Sequence, residues 1–261
     1  MTFITTWAKQ GKKYRPLISE LIKRDLKVKY RRSFLGYLWS LLNPLLMMTI
    51  MTLVFSTVFR FDIQNFPLYL ICGQTLYSFF NESTNIAMYS ITSNAPLIKK
   101  VYIPKFIFPI SRVLSCFVTT SFSFLAIIIV MIFTKTPITI YFPLIIFPLL
   151  FLLLFASGIG MILSALAVYF QDITHLYSVL TLAWMYLTPI FYPVEAVPEF
   201  VKNIIYCNPL YHYIEMFRCF VLNGCMPDAQ LWLWSVLSSS ISLVLGVLIF
   251  NKLQKNFILH I

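Results

Sequence analysis

The sequence predicts an all-α membrane protein with about six transmembrane helices. Hydrophobic residues make up 59% of the 261 residues and charged residues only 11%, whereas soluble domains carry about 25% charged residues. The apolar residues fall in runs close to the ~20 residues that a helix needs to cross the hydrocarbon core of a bilayer. The strands of a membrane barrel would instead alternate over ~10 residues. That alternation does not occur in the sequence, so helices are the expected structure.

The chain divides into a cytoplasmic interfacial segment, 1–34, and a single transmembrane domain, 35–261. Within the first segment, residues 16–32 have the pattern of an amphipathic helix, with Pro16 suited to its first turn. Its apolar side includes Leu21 and Ile22, and its basic side includes Lys23, Arg24, Lys27 and Arg31. This pattern favours a helix that lies along the cytoplasmic membrane surface. A solvated helix that only carries positive charge is the alternative.

The predicted spans are 35–59, 67–90, 107–133, 143–168, 174–193 and 230–250. The fifth span is interrupted by Pro189 and Pro193. If the amino terminus is cytoplasmic, sixteen of the 20 basic residues fall on the cytoplasmic side, and the other four are Arg60, Lys135, Lys202 and Arg218. This bias follows the positive-inside rule and predicts that both termini are cytoplasmic. A nucleic-acid-binding arm at the amino terminus is the alternative, but no soluble domain that could dock a duplex follows it.

Residues 194–229 are too apolar for a free loop and contain too many prolines for a regular span. Two short helices, at 200–206 and 210–222, are expected to dip into the outer leaflet beside a pathway, because irregular backbone at membrane depth requires protein or water around it. The three cysteines of this segment are Cys207, Cys219 and Cys225. Free thiols are expected there, with a disulfide as the alternative if that side is oxidising.

The second span carries polar residues at steps of three and four, which places them on one helical face. They are Gln74, Ser78, Asn81, Glu82, Asn85 and Tyr89. A carboxylate within a span normally faces the bundle interior or water, so this face is a candidate wall of a hydrophilic conduit. Hydrogen bonding between helices is the alternative.

Two further patterns concern the other spans. Aromatic residues suited to stacking on sugar rings are Tyr37, Trp39, Trp184, Tyr186 and Tyr192. Interfacial aromatic belts are the alternative explanation for them. The small residues Ala156, Gly160 and Ser164, at four-residue spacing in the fourth span, predict close helix packing.

The chain lacks the motifs of an enzyme. None of its seven glycines begins a GxxxxGK[ST] phosphate-binding loop. The three histidines are not spaced as zinc ligands, and no nucleophile–base pair stands out. We therefore expect that the chain catalyses no reaction by itself and binds no metal or cofactor.

Three segments resemble the type-2 ATP-binding-cassette exporter permeases for polysaccharides, which include the O-antigen, capsule and teichoic-acid exporters. Residues 21–44 are similar to the amino-terminal signature of that family, 94–104 to its coupling-helix region and 208–218 to its outer re-entrant segment. One position departs from the family pattern, since Gln171 stands where an arginine often precedes Asp172. Any role of that arginine does not carry over to this chain.

The resemblance implies a permease made of two copies of this chain in the bacterial cytoplasmic (inner) membrane, with the conduit between them. It also implies two separate nucleotide-binding ATPase subunits, which hold ATP and Mg, and a lipid-linked polysaccharide as substrate. The residues expected to couple the permease to the ATPase are Asn94, Pro96, Leu97, Lys99, Lys100, Tyr102 and Asp172.

Three other functions remain open at this stage. A type-2 permease could instead move a small drug or a lipid. A proton-coupled carrier that uses Glu82 would predict inverted repeats, which the sequence does not show. A membrane glycosyltransferase would need a metal-binding acidic pair at the membrane surface, which is also missing.

Overall fold

The computed structural model describes residues 2–31, 33–58, 63 and 65–260 of the chain. Within these ranges the chain is helical and contains no strand. Arg32 and Arg60, which entered the charge count, lie outside the described residues. The same holds for residue 59, at the end of the first predicted span, and for Ile261.

The α-helices of the described part are α1 (Thr2–Tyr30), α2 (Leu38–Val58), α3 (Phe66–Met88), α4 (Ser90–Ser93), α5 (Ala95–Lys100), α6 (Ile107–Phe133), α7 (Ile146–Tyr169), α8 (Ile173–Tyr186), α9 (Glu199–Tyr206), α10 (Pro209–Arg218), α11 (Ala229–Leu253) and α12 (Phe257–His260). Short 3₁₀ turns occur at Phe142–Ile145, Val194–Ala196 and Gln254–Asn256. One π-helical turn, Cys219–Asn223, extends α10.

Four segments of the described chain are long and apolar enough to cross a membrane: Leu38–Phe55, Ile107–Phe133, Phe142–Tyr169 and Ala229–Leu259. They correspond to the first, third, fourth and sixth predicted spans. The second predicted span corresponds to α3, whose 23 residues extend about 35 Å at ~1.5 Å per residue. Polar residues lower the hydropathy of α3, so the total of six spans stays a prediction.

The fifth predicted span, 174–193, is wrong in its extent. Helix α8 has 14 residues and ends at Tyr186, which gives it a length of about 21 Å, less than the ~30 Å of the hydrocarbon core. The helix ends there because Pro189 lacks an N–H donor and its ring disfavours helical backbone in the residue before it.

The two short helices predicted between spans five and six are present as α9 and α10. Asn208 begins α10, and its side-chain Oδ1 accepts a hydrogen bond from the backbone N–H of Leu210 at 3.0 Å. The same oxygen accepts one from Trp184 Nε1 at 2.8 Å, which joins the hairpin to α8. The insertion of the hairpin formed by α9 and α10 into the outer leaflet stays a prediction. All five cysteines lie within the described residues and are free thiols.

Helix α7 packs against α11 on one side and α3 on the other, and glycines allow the close contact. A Cβ atom at Gly158 would lie 2.3 Å from the backbone oxygen of Ser242 in α11. A Cβ atom at Gly160 would lie 2.9 Å from the Cβ atom of Ala87 in α3. The small residues of the fourth span therefore serve packing, as predicted, and Gly158 makes the closest approach.

The amino-terminal helix differs from its prediction in where it begins. Helix α1 starts at Thr2, so Pro16 lies inside the helix and not in its first turn. Leu21 is buried and packs with Ile91 and Phe106 in a second core cluster. The rest of the predicted apolar side is less well covered, since Val28 is 65% exposed. The interfacial placement of α1 stays a prediction.

A buried arginine fixes the end of α3 that lies nearest the hairpin. Arg218, the last residue of α10, is 2% exposed. It donates hydrogen bonds to the backbone oxygens of Pro189 at 2.9 Å and Tyr69 at 3.2 Å. Its Cζ atom lies 3.4 Å from the centroid of the Tyr69 ring. Gly73 provides the space, because a Cβ atom there would lie 2.8 Å from Arg218 Nη2. Arg218 thus joins α3, α10 and the segment after α8.

We expect the substitution Arg218→Met to destabilise the protein by about 2 kcal/mol or more, because buried carbonyl groups lose charge-assisted hydrogen bonds. Thermal unfolding of the detergent-solubilised protein measures the change. The control is Lys202→Met in α9, where the lysine pairs only with the exposed Glu199 and a small effect is expected. Equal melting temperatures for the two variants would contradict this role of Arg218.

Candidate functional site

The predicted polar residues of α3 lie on the side of this helix that the rest of the chain covers least. Gln74, Asn81, Glu82 and Asn85 are half-buried, and Ser78 and Tyr89 are exposed, whereas most of the remaining residues of α3 are buried. We call these six residues the polar face of α3. Because 3.6 residues complete one turn, the observed exposure follows the spacing that the sequence showed.

Helices α2 and α6 border one edge of the polar face. Gln74, Ser78 and Glu82 line a cavity of about 230 Å³ together with residues of these two helices, such as Asn43 and Thr120. Gln74 Oε1 has no hydrogen-bond partner among the described residues. The cavity therefore holds polar atoms that remain available to water or to a bound molecule.

Helix α8 borders the opposite edge. Asn81 and Asn85 line a second cavity with Ser178 and Leu182 of that helix. Asn85 Nδ2 donates to the backbone oxygen of Asn81 at 2.7 Å and to its side-chain Oδ1 at 2.8 Å. Because the two amides are held in register by these bonds, they present a fixed set of donors and acceptors.

An ion pair between α1 and α3 lines the first cavity. Lys29 of α1 pairs with Glu82 of α3, and both side chains are partly exposed, at 37% and 38%. The carboxylate thus has a counter-charge supplied by the amino-terminal helix, which lowers the cost of placing it within the membrane domain. Sequence reasoning identified Glu82 but missed its partner.

A second ion pair attaches α1 to α6. Asp25 is 8% exposed at its side chain and lies 2.9 Å from Arg112 Nη1. Ser115 of α6 donates a further hydrogen bond to Asp25 at 3.4 Å. Sequence reasoning missed this pair as well, because no spacing in the sequence links Asp25 to Arg112.

These charges surround a cavity of about 480 Å³ between α1, α3 and α6. Arg24 lines it, with a side chain that donates to Asn94 Oδ1 at 3.3 Å and pairs with Asp25 at 3.1 Å. Arg24 was predicted on the outward basic side of the helix, and the structure instead directs its guanidinium into this cavity. The ion pairing with Asp25 and the amide of Asn94 account for that orientation.

The segment expected to couple to an ATPase contains α4 and α5. Pro96, Lys99 and Lys100 are exposed, and Tyr102 is 95% exposed. Ile98 is buried in the same core cluster as Leu21, with Leu97 packed against it. This short helix is therefore anchored by one side and presents the other outward.

Two other residues expected at this surface differ in their surroundings. Asn94 is 7% exposed and its amide donates to the backbone oxygen of Ser90 at 2.7 Å, so it holds the loop in place and is directed inward. Asp172 lies at the beginning of α8 and is exposed.

The predicted aromatic residues do not share one location. Tyr37, Trp39 and Tyr186 are 49%, 46% and 61% exposed. Tyr192 donates a hydrogen bond to the backbone oxygen of Tyr186 at 2.6 Å. Trp184 lies inside the bundle, with its ring centroid 5.3 Å from that of Phe80. The hydrogen bond of Trp184 to the hairpin accounts for this inward position, and we do not include it in the exposed surface.

Several long apolar helices and a partly open polar face on a central helix fit a membrane permease. The family of ABC-2 type transporters matches residues 16–221, and the chain belongs to this family. The resemblance seen in the sequence is confirmed.

The chain is similar to several curated proteins along almost all of its length. It is 33% identical to the O-antigen export system permease protein RfbA of Klebsiella pneumoniae, over 92% of this chain and 93% of that protein. It is 22% identical to the capsule polysaccharide export inner-membrane protein CtrC of Neisseria meningitidis, over 92% and 91%. It is 21% identical to the polysialic acid transport protein KpsM of Escherichia coli, over 91% and 93%.

The attachment of α1 to α6 can be tested by exchanging the charges of its ion pair. We expect Asp25→Arg and Arg112→Asp each to release α1 and to raise the rate of chymotryptic cleavage within it by about tenfold, because cleavage follows the population of the open state and a charge-assisted hydrogen bond contributes about 1.5 kcal/mol or more.

The double variant Asp25→Arg/Arg112→Asp restores the opposite charges and should recover much of the protection from chymotrypsin, whose cleavage sites none of these substitutions adds or removes. Lys23→Asp provides a control on the same helix, because Lys23 pairs only with the exposed Glu20. If the single variants were cleaved no faster than the control, the ion pair would not be what holds α1 in place.

Proposed function

We propose that this chain is the transmembrane permease subunit of an ATP-driven exporter that moves a lipid-linked polysaccharide out of the cytoplasm. Relatives that match along almost the whole chain are named as export proteins for O-antigen and capsule polysaccharide, and the chain belongs to the ABC-2 type transporters. The observation in the structure that carries the proposal is the open polar face of α3.

The polar face cannot be turned toward lipid. A charged side chain at the centre of a bilayer costs several kcal/mol, so such residues face a bundle interior or a water-filled path. In this chain Ser78 is exposed, and the amides and Glu82 are only half-buried by the other helices, with Lys29 of α1 paired to Glu82. Water or a second polypeptide must therefore meet them, and a polysaccharide with its many hydroxyl groups matches their donors and acceptors.

The surfaces on both sides of the polar face support a pair of identical subunits. In α2, none of the residues of its apolar window is buried. In α8, Leu176, Val179 and Leu180 are 67%, 69% and 53% exposed. Two copies joined along these apolar surfaces would enclose their polar faces between them, as expected for a symmetric dimer. The resulting conduit would lie at the interface of the copies.

The exposed side of α5 is the surface proposed for a nucleotide-binding ATPase subunit, one for each copy of the permease. ATP and Mg would be bound by that subunit, since this chain has no phosphate-binding loop. Tyr102 is well placed for such a contact, because exposed aromatic side chains are frequent anchors of interfaces. Asp172, exposed at the beginning of α8, completes this cytoplasmic surface.

The orientation of the chain in the membrane follows from the distribution of its basic residues. Most of the basic residues lie in α1, in the segment around α5 and at the end of α11, which the positive-inside rule places in the cytoplasm. We infer six spans, an interfacial segment, 1–34, that contains α1, and a single permease domain, 35–261, in the bacterial inner membrane. Both termini are then cytoplasmic.

The cavity beneath α1 supports the lipid-linked form of the substrate. Arg24, Lys29 and Arg112 line it together with Asp25 and Glu82, so cations exceed carboxylates. A phosphate that joins a lipid to a glycan would be attracted to the guanidinium groups, which bind phosphate oxygens in bidentate geometry. The glycan attached to that phosphate would then meet Glu82 and the rest of the polar face.

This function predicts that Glu82→Gln impairs export without disturbing assembly. A charge-assisted contact of about 1.5 kcal/mol to the moving glycan corresponds to a roughly tenfold slower export. Surface polysaccharide measured on cells that depend on this permease gives the rate. Co-purification of a subunit with a phosphate-binding loop shows assembly.

The matched control is Glu20→Gln, which removes a carboxylate paired with Lys23 at the surface of α1 and should leave export unchanged. Normal export by Glu82→Gln would remove Glu82 from the pathway. Failure of the wild-type chain to retain any ATPase under mild extraction would contradict the exporter itself.

A further inference from the structure

A groove with a basic floor lies beside the proposed ATPase contact and apart from the polar face. The backbone after α5 borders the groove through Tyr102–Lys105, and the end of α11 with the following 3₁₀ turn forms its other side. Its volume is about 670 Å³. Neither the substrate pathway nor the contacts of α1 use these residues.

Three lysines supply the charge of the groove: Lys105, Lys252 and Lys255. The lining contains no aspartate or glutamate, and none of the ion pairs found within the described ranges involves these lysines. The groove therefore has a net positive charge that the described chain does not neutralise.

Lys105 is held in a fixed position, unlike the other two lysines. Its ammonium group donates a hydrogen bond to the backbone oxygen of Gln254 at 2.7 Å and lies 5.5 Å from the centroid of the Phe257 ring. Burial lowers the pKa of Lys105. Lys252 and Lys255 are exposed, so their ammonium groups are free to turn toward an anion in the groove.

The apolar wall of the groove continues along the outer surface of α11. Leu248 lines the groove and is 56% exposed. Val244 and Ile241, one and two turns earlier on the same side of the helix, are 56% and 49% exposed. This side of α11 thus passes from an apolar stripe suited to acyl chains to Lys252, one turn beyond Leu248.

We propose that this groove binds an anionic phospholipid of the cytoplasmic leaflet, with its phosphate among the three lysines and its acyl chains along α11. Basic pockets between helices on the cytoplasmic side are suited to such headgroups, and lysine side chains reach the headgroup level from the ends of spans. The continuous apolar wall favours a lipid over a soluble polyanion, which would leave that wall uncovered. The proposal rests on the cytoplasmic orientation given above.

The bound lipid would connect two parts of the permease. Tyr102–Lys105 follows directly on the helix proposed to contact the ATPase, and Lys252 and Lys255 belong to the carboxyl-terminal end of the chain. A phosphate held by both sides would fix the distance between them. Anionic lipid should therefore stabilise the full-length permease more than zwitterionic lipid does.

The test uses the delipidated full-length chain in detergent, to which phosphatidylglycerol or phosphatidylcholine is added, with bound lipid counted by native mass spectrometry. The wild type is expected to prefer phosphatidylglycerol. Lys252→Gln/Lys255→Gln should weaken that binding about tenfold or more, since each lysine near an anionic surface contributes about 1 kcal/mol. Lys252→Arg/Lys255→Arg keeps both charges and should bind as the wild type does.

Lys135→Gln/Lys202→Gln removes the same charge from the segments assigned to the opposite side of the membrane and is expected to retain the preference. An equal loss in this control, or no preference of the wild type for phosphatidylglycerol, would overturn the proposal. It would also fail if adding the ATPase subunit displaced the lipid, because the groove would then be a protein interface. Export is tested separately through Glu82, so a failure here leaves the proposed function standing.

Discussion

The structure depends on one constraint. Helix α3, in the middle of the bundle, carries amides and a carboxylate on a side that the rest of the chain covers only in part. The other sides of α3 are buried against α6, α7 and α10 by residues such as Phe80 and Leu76. Arg218 holds the hairpin end of α3, and Lys29 provides a counter-charge for Glu82 near the opposite end. These contacts fix the direction in which the polar face points. Because lipid cannot solvate that face, another molecule or water must meet it, and the proposed dimer with an aqueous interface would do so.

Helix α1 connects the polar face with the cytoplasmic loop. It reaches Glu82 through Lys29, α6 through Asp25 and the loop before α5 through Arg24 and Asn94. A movement of α5 would change the surroundings of Arg24 directly, and α1 would transmit it toward Glu82 over a short chain of ion pairs. We therefore expect the cytoplasmic loop and the polar face to respond together when an ATPase closes beneath them.

Features that depend on the spacing of residues along the chain could be predicted from the sequence. The polar steps of α3 and the two hairpin helices were evident from spacing, apolar length and prolines, and the structure places them as expected. The sequence could not predict contacts between distant parts of the chain, such as Asp25 with Arg112 or Lys29 with Glu82, because ion pairing leaves no periodic pattern. The early end of α8 was misjudged because apolar composition continues past Tyr186 while the prolines stop the helix. The sequence position of Trp184 does not reveal that Asn208 would bind its indole N–H and that the ring would be half-buried.

The central claim is that water, and not lipid, meets the polar face of α3. The most direct measurement is the accessibility of a spin label at Ser78→Cys, in a cysteine-free background of the chain reconstituted in bilayers, to a water-soluble nickel complex and to oxygen. Ile241→Cys on the outer side of α11 serves as the lipid-facing comparison, because Ile241 is exposed and lies in an apolar span. The account predicts that the spin label at residue 78 is relaxed mainly by the water-soluble nickel complex. The spin label at residue 241 should be relaxed mainly by oxygen. Oxygen-dominated relaxation at both positions would contradict it.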